Sequence, residues 1–152
     1  MAKYRPIVLA APGDIANAHG TLVLEPERWL GKRCPLLSLV DIGNGLAIGD
    51  WFVVLYRHDC PVCQNVLPHD RPLGGHFAQE SSGPRLALVE MPPYAPQSSA
   101  PQSLPSGLLH GRLSEGDWFV ELPFAVSLVD GVVRSVVRDP AAVAKAIRSE
   151  AW

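Results

Sequence analysis

Six consecutive apolar residues, 51–56 (Trp-Phe-Val-Val-Leu-Tyr), lead almost directly into the segment Cys60-Pro-Val-Cys63. All except Leu55 are β-branched or aromatic, which favours a strand, and the lack of polar alternation predicts that both faces of that strand are buried. Such strands belong to sheets that helices cover, so the expected class is α/β. Because Pro61 suits the first turn of a helix, the two cysteines are expected where a helix follows the strand.

Further strands and a closing helix are predicted along the chain. Apolar runs predict strands at 21–24, 85–91, 124–129 and 132–137. Asp130-Gly131 is a two-residue hairpin signal between the last two of them. In the final strand Val133 and Val137 are expected to share a face opposite Arg134 and Arg138, as suits a strand near the edge of a sheet. Asp139-Pro140 is expected to begin a helix in which Val143 and Ile147 face inward.

The chain is expected to hold one domain, residues 21–152, after an irregular tail at 1–20. The apolar stretch near the N-terminus is too short for a signal peptide and is bracketed by Pro6 and Pro12. Proline makes up 15 of the 152 residues, about twice the usual share. Many of these prolines alternate with serines over 92–107, which predicts an inserted surface loop of polyproline character.

The net charge and the number of cysteines limit the classes of function that this chain can have. The formal net charge is −2, so no basic surplus is present to bind a phosphate backbone, and no nucleic-acid partner is expected. No apolar run reaches the roughly 18 residues that a membrane-spanning helix needs. Three cysteines are too few for a disulfide-stapled scaffold, and a Cys-x-x-Cys pair indicates redox chemistry or metal binding.

A helix start is a favourable place for a redox-active pair of thiols. Its amides and dipole stabilise a thiolate on the first cysteine, and the two-residue spacing brings the second within bonding range. Cys60 is therefore the expected nucleophile, and Cys63 is the expected resolving thiol. No cofactor is expected.

Two alternatives from other classes stay open. The pair could bind a metal with a histidine, as a metallochaperone does, and the further ligands near it in sequence are His58, His69, His76 and Cys34. No second cysteine pair with metal-site spacing exists, so no metal site is assigned. The other alternative is an interaction module with a vestigial dithiol, in which the proline-rich loop is the partner surface.

The chain resembles the thioredoxin superfamily over residues 50–150, through three spacings. A buried strand precedes Cys60-Pro-Val-Cys63, Pro68 stands five residues after Cys63, and Pro123 stands eight residues before Gly131. The resemblance implies a thioredoxin-like three-layer sandwich with a central mixed sheet. It also implies a cis Leu122–Pro123 bond beside the dithiol. The implied activity is thiol–disulfide exchange with protein or small-molecule disulfides, which Leu122, Pro123, Pro61 and Val62 help to bind.

A second resemblance concerns the segment before the first strand of this pattern. Residues 29–35, Trp-Leu-Gly-Lys-Arg-Cys-Pro, are similar to the lead-in of membrane-anchored, extracytoplasmic thioredoxins and of peroxiredoxins. Cys-Pro-Val-Cys is also similar to the dithiol of thioredoxin-like proteins that work with membrane redox partners. This resemblance implies a bacterial extracytoplasmic or membrane-associated setting and a protein dithiol partner, including a membrane redox protein.

Several positions depart from the family pattern. Val54 stands where thioredoxins carry a buried acid that moves a proton to the resolving thiol, so proton transfer is expected to use water or a neighbour such as His58 or Glu121. Asp59 places a carboxylate beside Cys60. Other residues receive structural interpretations. Trp51, Trp118 and Phe119 are expected in the core or a groove wall, and Trp29 is expected to pack within the lead-in segment. Cys34 is expected to be a semi-buried free thiol, and the histidines expected on solvated loops are His19, His69, His76 and His110.

Overall fold

The computed structural model describes residues 15–18, 21–66, 85–95 and 108–148. The strands are β1 Ala16–Ala18, β2 Thr21–Val23, β3 Asp50–Tyr56, β4 Arg85–Glu90, β5 Leu109–Arg112, β6 Trp118–Phe119, β7 Phe124–Val129 and β8 Val132–Val137. The α-helices are α1 Gly43–Leu46, α2 Pro61–Val66 and α3 Pro140–Arg148, and the 3-10 helices are Pro26–Trp29 and Pro35–Ser38. Pro68 and residues 96–107 lie outside the described part.

A five-stranded mixed sheet forms the centre, in the order β5-β4-β3-β7-β8. β3 runs parallel to β4 and antiparallel to β7, and β4 runs parallel to β5. A smaller sheet pairs β1, β2 and β6. The strands predicted at 21–24, 51–56, 85–91, 124–129 and 132–137 are thus confirmed within one or two residues. β1 lies in the segment that was expected to be an irregular tail, and the rest of residues 1–20 except Ile15 is outside the described residues.

β3 is buried on both faces, as its unbroken apolar run predicts. Trp51, Val53 and Leu55 belong to one apolar cluster, whereas Phe52, Val54 and Tyr56 belong to another on the opposite face. Alternate residues of a strand point to opposite faces, so this single strand contributes to both halves of the core.

The two faces of the sheet are covered differently. One, the helical face, is covered by α2 and α3, and Val143 and Ile147 are fully buried there as predicted. The other, the N-terminal face, packs against Trp29, Leu36 and Leu46 from the two 3-10 helices and the single turn α1. The α/β class with a central mixed sheet is therefore observed. In the described segments, longer helices cover one face only.

The β7–β8 hairpin has the predicted turn but not the predicted side-chain alternation. Asp130 and Gly131 both have positive φ, 51° and 84°, which a two-residue hairpin turn requires. The register pairs Ser127 with Ser135 but Leu128 with Val133, so Arg134 is an extra residue in β8. A β-bulge of this kind reverses the alternation. The expectation that Val133 and Val137 share a face is therefore wrong: Val133 is buried on the N-terminal face and Val137 packs against the helical face.

Two other positions also differ from expectation. Phe119 is 65% exposed, so it is not a core residue, because its strand β6 pairs only with the short β2 at the surface. His110 lies in β5 and is half-buried rather than on a solvated loop. Within the described residues, no helix is long and apolar enough to cross a membrane.

Candidate functional site

The candidate site lies at the end of the sheet where the parallel strands finish. β3 ends at Tyr56, and residues 57–60 lead from it into α2. On the other side of β3 the register pairs Leu55 with Phe124, which brings Pro123 to the level of Tyr56. The Leu122–Pro123 bond is cis, the form that the family resemblance implies. The carboxyl ends of parallel strands are the usual place for sites in such sheets.

Cys60 lies just before α2 and is half-buried. Its sulfur accepts a hydrogen bond from the backbone N–H of Cys63 at 3.1 Å, and its carbonyl accepts one from the N–H of Gln64 at 3.1 Å. The Gln64 side chain donates to the carbonyl of His58 at 3.2 Å. These bonds tie the loop to the first turn of the helix and hold the Cys60 sulfur next to residue 63.

Cys63 differs from Cys60 in being completely buried. Burial, together with the hydrogen bond to Cys60, raises the pKa of the Cys63 thiol from its usual 9.0 to about 12, although the backbone amide of Arg57 bonds to its sulfur and opposes the shift. Cys63 is therefore a protonated thiol near neutral pH. Only Cys60 presents a sulfur that an outside disulfide can reach.

The carboxylate beside Cys60 is paired rather than free. Asp59 accepts two hydrogen bonds from the Arg57 guanidinium, at 2.9 Å to Nε and 3.3 Å to an Nη. The hydrogen bond from Arg57 is the main reason that the pKa of Asp59 lies below its usual value. Asp59 is thus charged near neutral pH, and Arg57 offsets that charge next to the dithiol.

The remaining predicted site residues differ in how far they are exposed to solvent. Pro61 and Val62 are exposed at the start of α2. Pro123 is buried, and Leu122 and Cys60 both pack against the apolar cluster of the helical face, to which Cys63 belongs. The structure therefore brings Leu122 to the same cluster as the two cysteines, and Pro61 and Val62 form the accessible rim.

A cleft of about 550 Å³ opens next to this site. Its lining residues are Arg57, Pro92, Pro93, Tyr94, Glu115, Gly116, Asp117 and Trp118. The Pro92–Pro93 bond is cis as well, a feature that the sequence analysis did not anticipate. Trp118 is part of this wall and packs only partly against the core, in agreement with its expected place in a groove wall.

Of the two residues expected to assist proton transfer, Glu121 is poorly placed to do so. Val54 is fully buried among apolar side chains, and the Glu121 carboxylate is 93% exposed and faces Arg138 at 3.8 Å. His58 is half-buried and meets α2 through its carbonyl.

Sequence reasoning missed a buried polar group at this same end of the sheet: Tyr56, Glu90 and His110. Glu90 was the available signal, because it is the one carboxylate inside the apolar run 85–91.

Cys34 lies away from the other two cysteines, in the cluster of the N-terminal face. It is 5% exposed, more deeply buried than expected, and it borders a separate cavity of about 420 Å³. Burial raises the pKa of its thiol to about 11. Among the described residues, no three His, Cys, Asp or Glu side chains come together as a metal site, and His69 and His76 lie outside those residues.

Comparison with known proteins adds no assignment to this geometry. Models of known protein families give no match to the chain, and curated proteins give none either. The observations that bear on function are therefore those of the residues themselves: a reachable sulfur at Cys60, a buried one at Cys63, and a cis-proline at 123 at the same end of the sheet.

Proposed function

We propose that this chain is a thioredoxin-like thiol–disulfide oxidoreductase that exchanges disulfides through Cys60 and Cys63. The observation that carries the proposal is the 3.1 Å hydrogen bond from the Cys63 amide to the Cys60 sulfur. It fixes a half-exposed sulfur and a buried thiol three residues apart at the start of one helix, which is the arrangement that a cycling dithiol needs.

The strand order supports the thioredoxin-like part of the proposal. The dithiol helix α2 follows β3, which has a parallel neighbour on one side and, on the other, the antiparallel strand that begins after cis-Pro123. A hairpin and the closing helix α3 complete the unit. A Cys-x-x-Cys pair that follows a strand of a parallel β-α-β unit is typical of thioredoxin-like redox proteins.

The exchange proceeds in two displacements. The Cys60 thiolate attacks one sulfur of the partner disulfide, so that a Cys60–partner disulfide forms and the other partner sulfur leaves as a thiolate. Cys63 then loses its proton and attacks the Cys60 sulfur, which releases the second partner thiolate and leaves a Cys60–Cys63 disulfide. The partner, a protein or a small-molecule disulfide, is reduced by two electrons and the dithiol is oxidised by two. The reverse sequence oxidises a partner dithiol.

The rim residues fit a partner that approaches as an extended segment. Leu122 packs partly against the same apolar cluster as Cys60 and Cys63, and in this proposal its backbone pairs with a strand-like polypeptide. Val62 is 45% exposed at the opposite rim and offers an apolar contact.

The deciding experiment compares two cysteine substitutions. We expect Cys60→Ser to lower the rate of reduction of a peptide disulfide by dithiothreitol-recycled protein to the uncatalysed level, because the attacking sulfur is gone. Cys34→Ser is the matched control, since Cys34 lies on the other face of the sheet, and it should change the rate by less than about two-fold. Equal rates for Cys60→Ser and the unmodified protein would exclude the proposal.

A further inference from the structure

The cleft of about 550 Å³ that Arg57 and Trp118 help to line lies close to Cys60 along the chain. The Cys60 N–H donates to the Arg57 carbonyl at 3.3 Å, and a turn of this kind keeps the two Cα atoms within about 7 Å. An extended polypeptide spans about 3.3–3.6 Å per residue. A partner whose disulfide meets the Cys60 sulfur therefore reaches the cleft with side chains about two to four residues from its cysteine.

Two aromatic side chains of the cleft are held in place by adjacent carbonyls. The Trp118 indole N–H donates to the Ser114 carbonyl at 2.9 Å, and the Tyr94 hydroxyl donates to the Leu113 carbonyl. Gly116 lies close to the indole, because a Cβ atom at that position would be 3.2 Å from Trp118 Nε1. Both rings are thus ordered before a partner arrives, which lowers the entropic cost of binding.

The charges that line the cleft do not balance. The Arg57 guanidinium is already bound by Asp59, with Nε 2.9 Å from Oδ1, so these two charges offset each other. Glu115 and Asp117 are exposed, and neither forms an ion pair within the described part of the chain. The Asp117 carboxylate accepts a hydrogen bond from the Thr21 hydroxyl at 2.9 Å, which positions it and leaves its negative charge in place.

Arg112 lies near the cleft as well, and its charge is already paired. Its guanidinium carbon is 5.0 Å from the centroid of the Tyr94 ring, and its Nε is 3.6 Å from the Glu90 carboxylate. Burial first, and then the charge of Glu115, raise the pKa of Tyr94, which agrees with a Glu115 carboxylate close to that ring. The cleft therefore keeps the negative charges of Glu115 and Asp117 beside the Trp118 indole.

An aromatic ring flanked by carboxylates suits a cation. The face of an indole attracts an ammonium or guanidinium group, and carboxylates form charge-assisted hydrogen bonds with the same groups. A small disulfide that carries several carboxylates, such as glutathione disulfide, would instead be repelled by Glu115 and Asp117.

We propose that this cleft binds a lysine or arginine side chain of the partner polypeptide, a few residues from the cysteine that Cys60 attacks. This inference rests on the proposed function, and it narrows the partner to polypeptides with a basic residue near the reacting cysteine. Trp118 provides the ring, and Glu115 and Asp117 provide the charges. These three residues determine which disulfide is selected and take no part in the exchange of sulfurs.

The experiment compares kcat/KM for the reduction of peptide disulfides by dithiothreitol-recycled protein. The peptides differ in one residue, arginine, glutamine or glutamate, placed at successive positions from the cysteine. An exposed ion pair strengthens binding by up to about five-fold, and a cation over an indole adds about two- to five-fold. At the best position we therefore expect arginine to exceed glutamine by about ten-fold. Added salt at about 0.5 M should remove most of this preference, because it screens exposed charges.

Glu115→Gln and Asp117→Asn remove the charges and keep the side-chain shapes. The asparagine oxygen can still accept the Thr21 hydroxyl, so folding is preserved. Each variant should lower the arginine preference by about three-fold, and the double variant should abolish it. Both should leave the rate with the glutamine peptide within about two-fold. Asp50→Asn is the matched control, because it removes an exposed charge at the other end of β3, and it should keep the preference.

A binding measurement separates this inference from the proposed function. The indole N–H resonance of Trp118, identified by its loss in Trp118→Phe, is followed by NMR while linear peptides with serine in place of cysteine are added. It should move with the arginine peptide and stay fixed with the glutamate peptide.

The possible outcomes are distinct. Equal kcat/KM for the arginine and glutamine peptides, or an arginine preference that survives in the double variant, would overturn the inference. If no peptide were reduced while the Trp118 resonance still moved with arginine, the proposed function would fail and the cleft would remain a site for cationic peptides. If no peptide were reduced and the resonance stayed fixed, both would be overturned.

Discussion

The two faces of the central sheet each hold a buried cysteine, and the surroundings of the two cysteines differ. Cys34 lies on the N-terminal face, where 3-10 helices and loops cover the sheet, and its amide donates to the carbonyl of Gly131. Cys63 lies on the helical face, in the first turn of α2, and its amide donates a hydrogen bond to the Cys60 sulfur. Both are free thiols, and both have raised pKa values, about 11 and about 12.

The comparison separates burial from reactivity. Burial holds both thiols protonated, which by itself makes a cysteine inert. Of the two buried cysteines, Cys63 has a second cysteine beside it and Cys34 does not. The proposed redox role therefore depends on the neighbouring sulfur of Cys60 at the start of α2, and not on the burial of Cys63.

The largest expected effect tests whether the irregular N-terminal face is as firmly packed as the helical one. Trp29 is fully buried there, with its ring 6.3 Å from that of Phe124, edge to face. We expect Trp29→Ala to lower the free energy of unfolding by about 4 kcal/mol, because a large cavity replaces the indole. Ile147→Ala, on the helical face, should lower it by about 3 kcal/mol.

Urea denaturation of the three proteins measures both losses. A loss under about 1 kcal/mol for Trp29→Ala would mean that the N-terminal segment is only loosely held, and the two faces would then differ in stability as well as in chemistry.

The next effect is the pH dependence of the stability that each buried thiol contributes. The folded state raises the pKa of Cys34 from 9.0 to about 11, so it holds this proton more tightly than the unfolded chain does. That preference stabilises the fold fully below pH 9 and is lost as the pH rises through 11, an effect of about 3 kcal/mol. We therefore expect the stability difference between the unmodified protein and Cys34→Ala to shrink by that amount over this interval.

Cys63→Ala provides the comparison. The folded state raises the pKa of Cys63 to about 12, so its stability difference should continue to shrink up to about pH 12. Titrations of groups that contact neither cysteine cancel in the differences. A stability difference for Cys34→Ala that stays constant between pH 8.5 and 11 would show that the Cys34 thiol is not held protonated by burial.

The strands could be predicted from sequence where the apolar signal is local. The run 51–56 predicts a strand buried on both faces without reference to any other residue. Asp130-Gly131 predicts the turn between β7 and β8 in the same way. The closing helix needs only the four-residue spacing of Val143 and Ile147. Each of these features is a property of adjacent residues, and each is present as predicted.

The features that sequence did not reveal depend on pairing between distant segments. β5, Leu-His-Gly-Arg, has no apolar alternation, and its pairing with β4 brings His110 to Tyr56 across 54 positions. Gly111 is needed there because a Cβ atom would lie 2.5 Å from Ile42 Cγ1. The extra residue in β8 likewise arises from register. Such contacts follow from the assembled sheet, and a single linear pattern does not contain them.

The smallest expected effect concerns the charges at the loop before Cys60. Arg57 binds Asp59 through two hydrogen bonds and lowers the pKa of Asp59, so Arg57→Gln should raise that pKa towards its usual value of 3.8. An NMR titration of the Asp59 carboxyl measures the shift. Exposed ion pairs contribute about 0.2–1 kcal/mol, so the stability should fall by no more than that. Arg33→Gln, beside Cys34 on the other face, is the matched control and should leave Asp59 unchanged. If both variants moved the pKa of Asp59 equally, the cause would be a general change in charge, and the pairing of Asp59 with Arg57 would have no special part in setting the charge next to the dithiol.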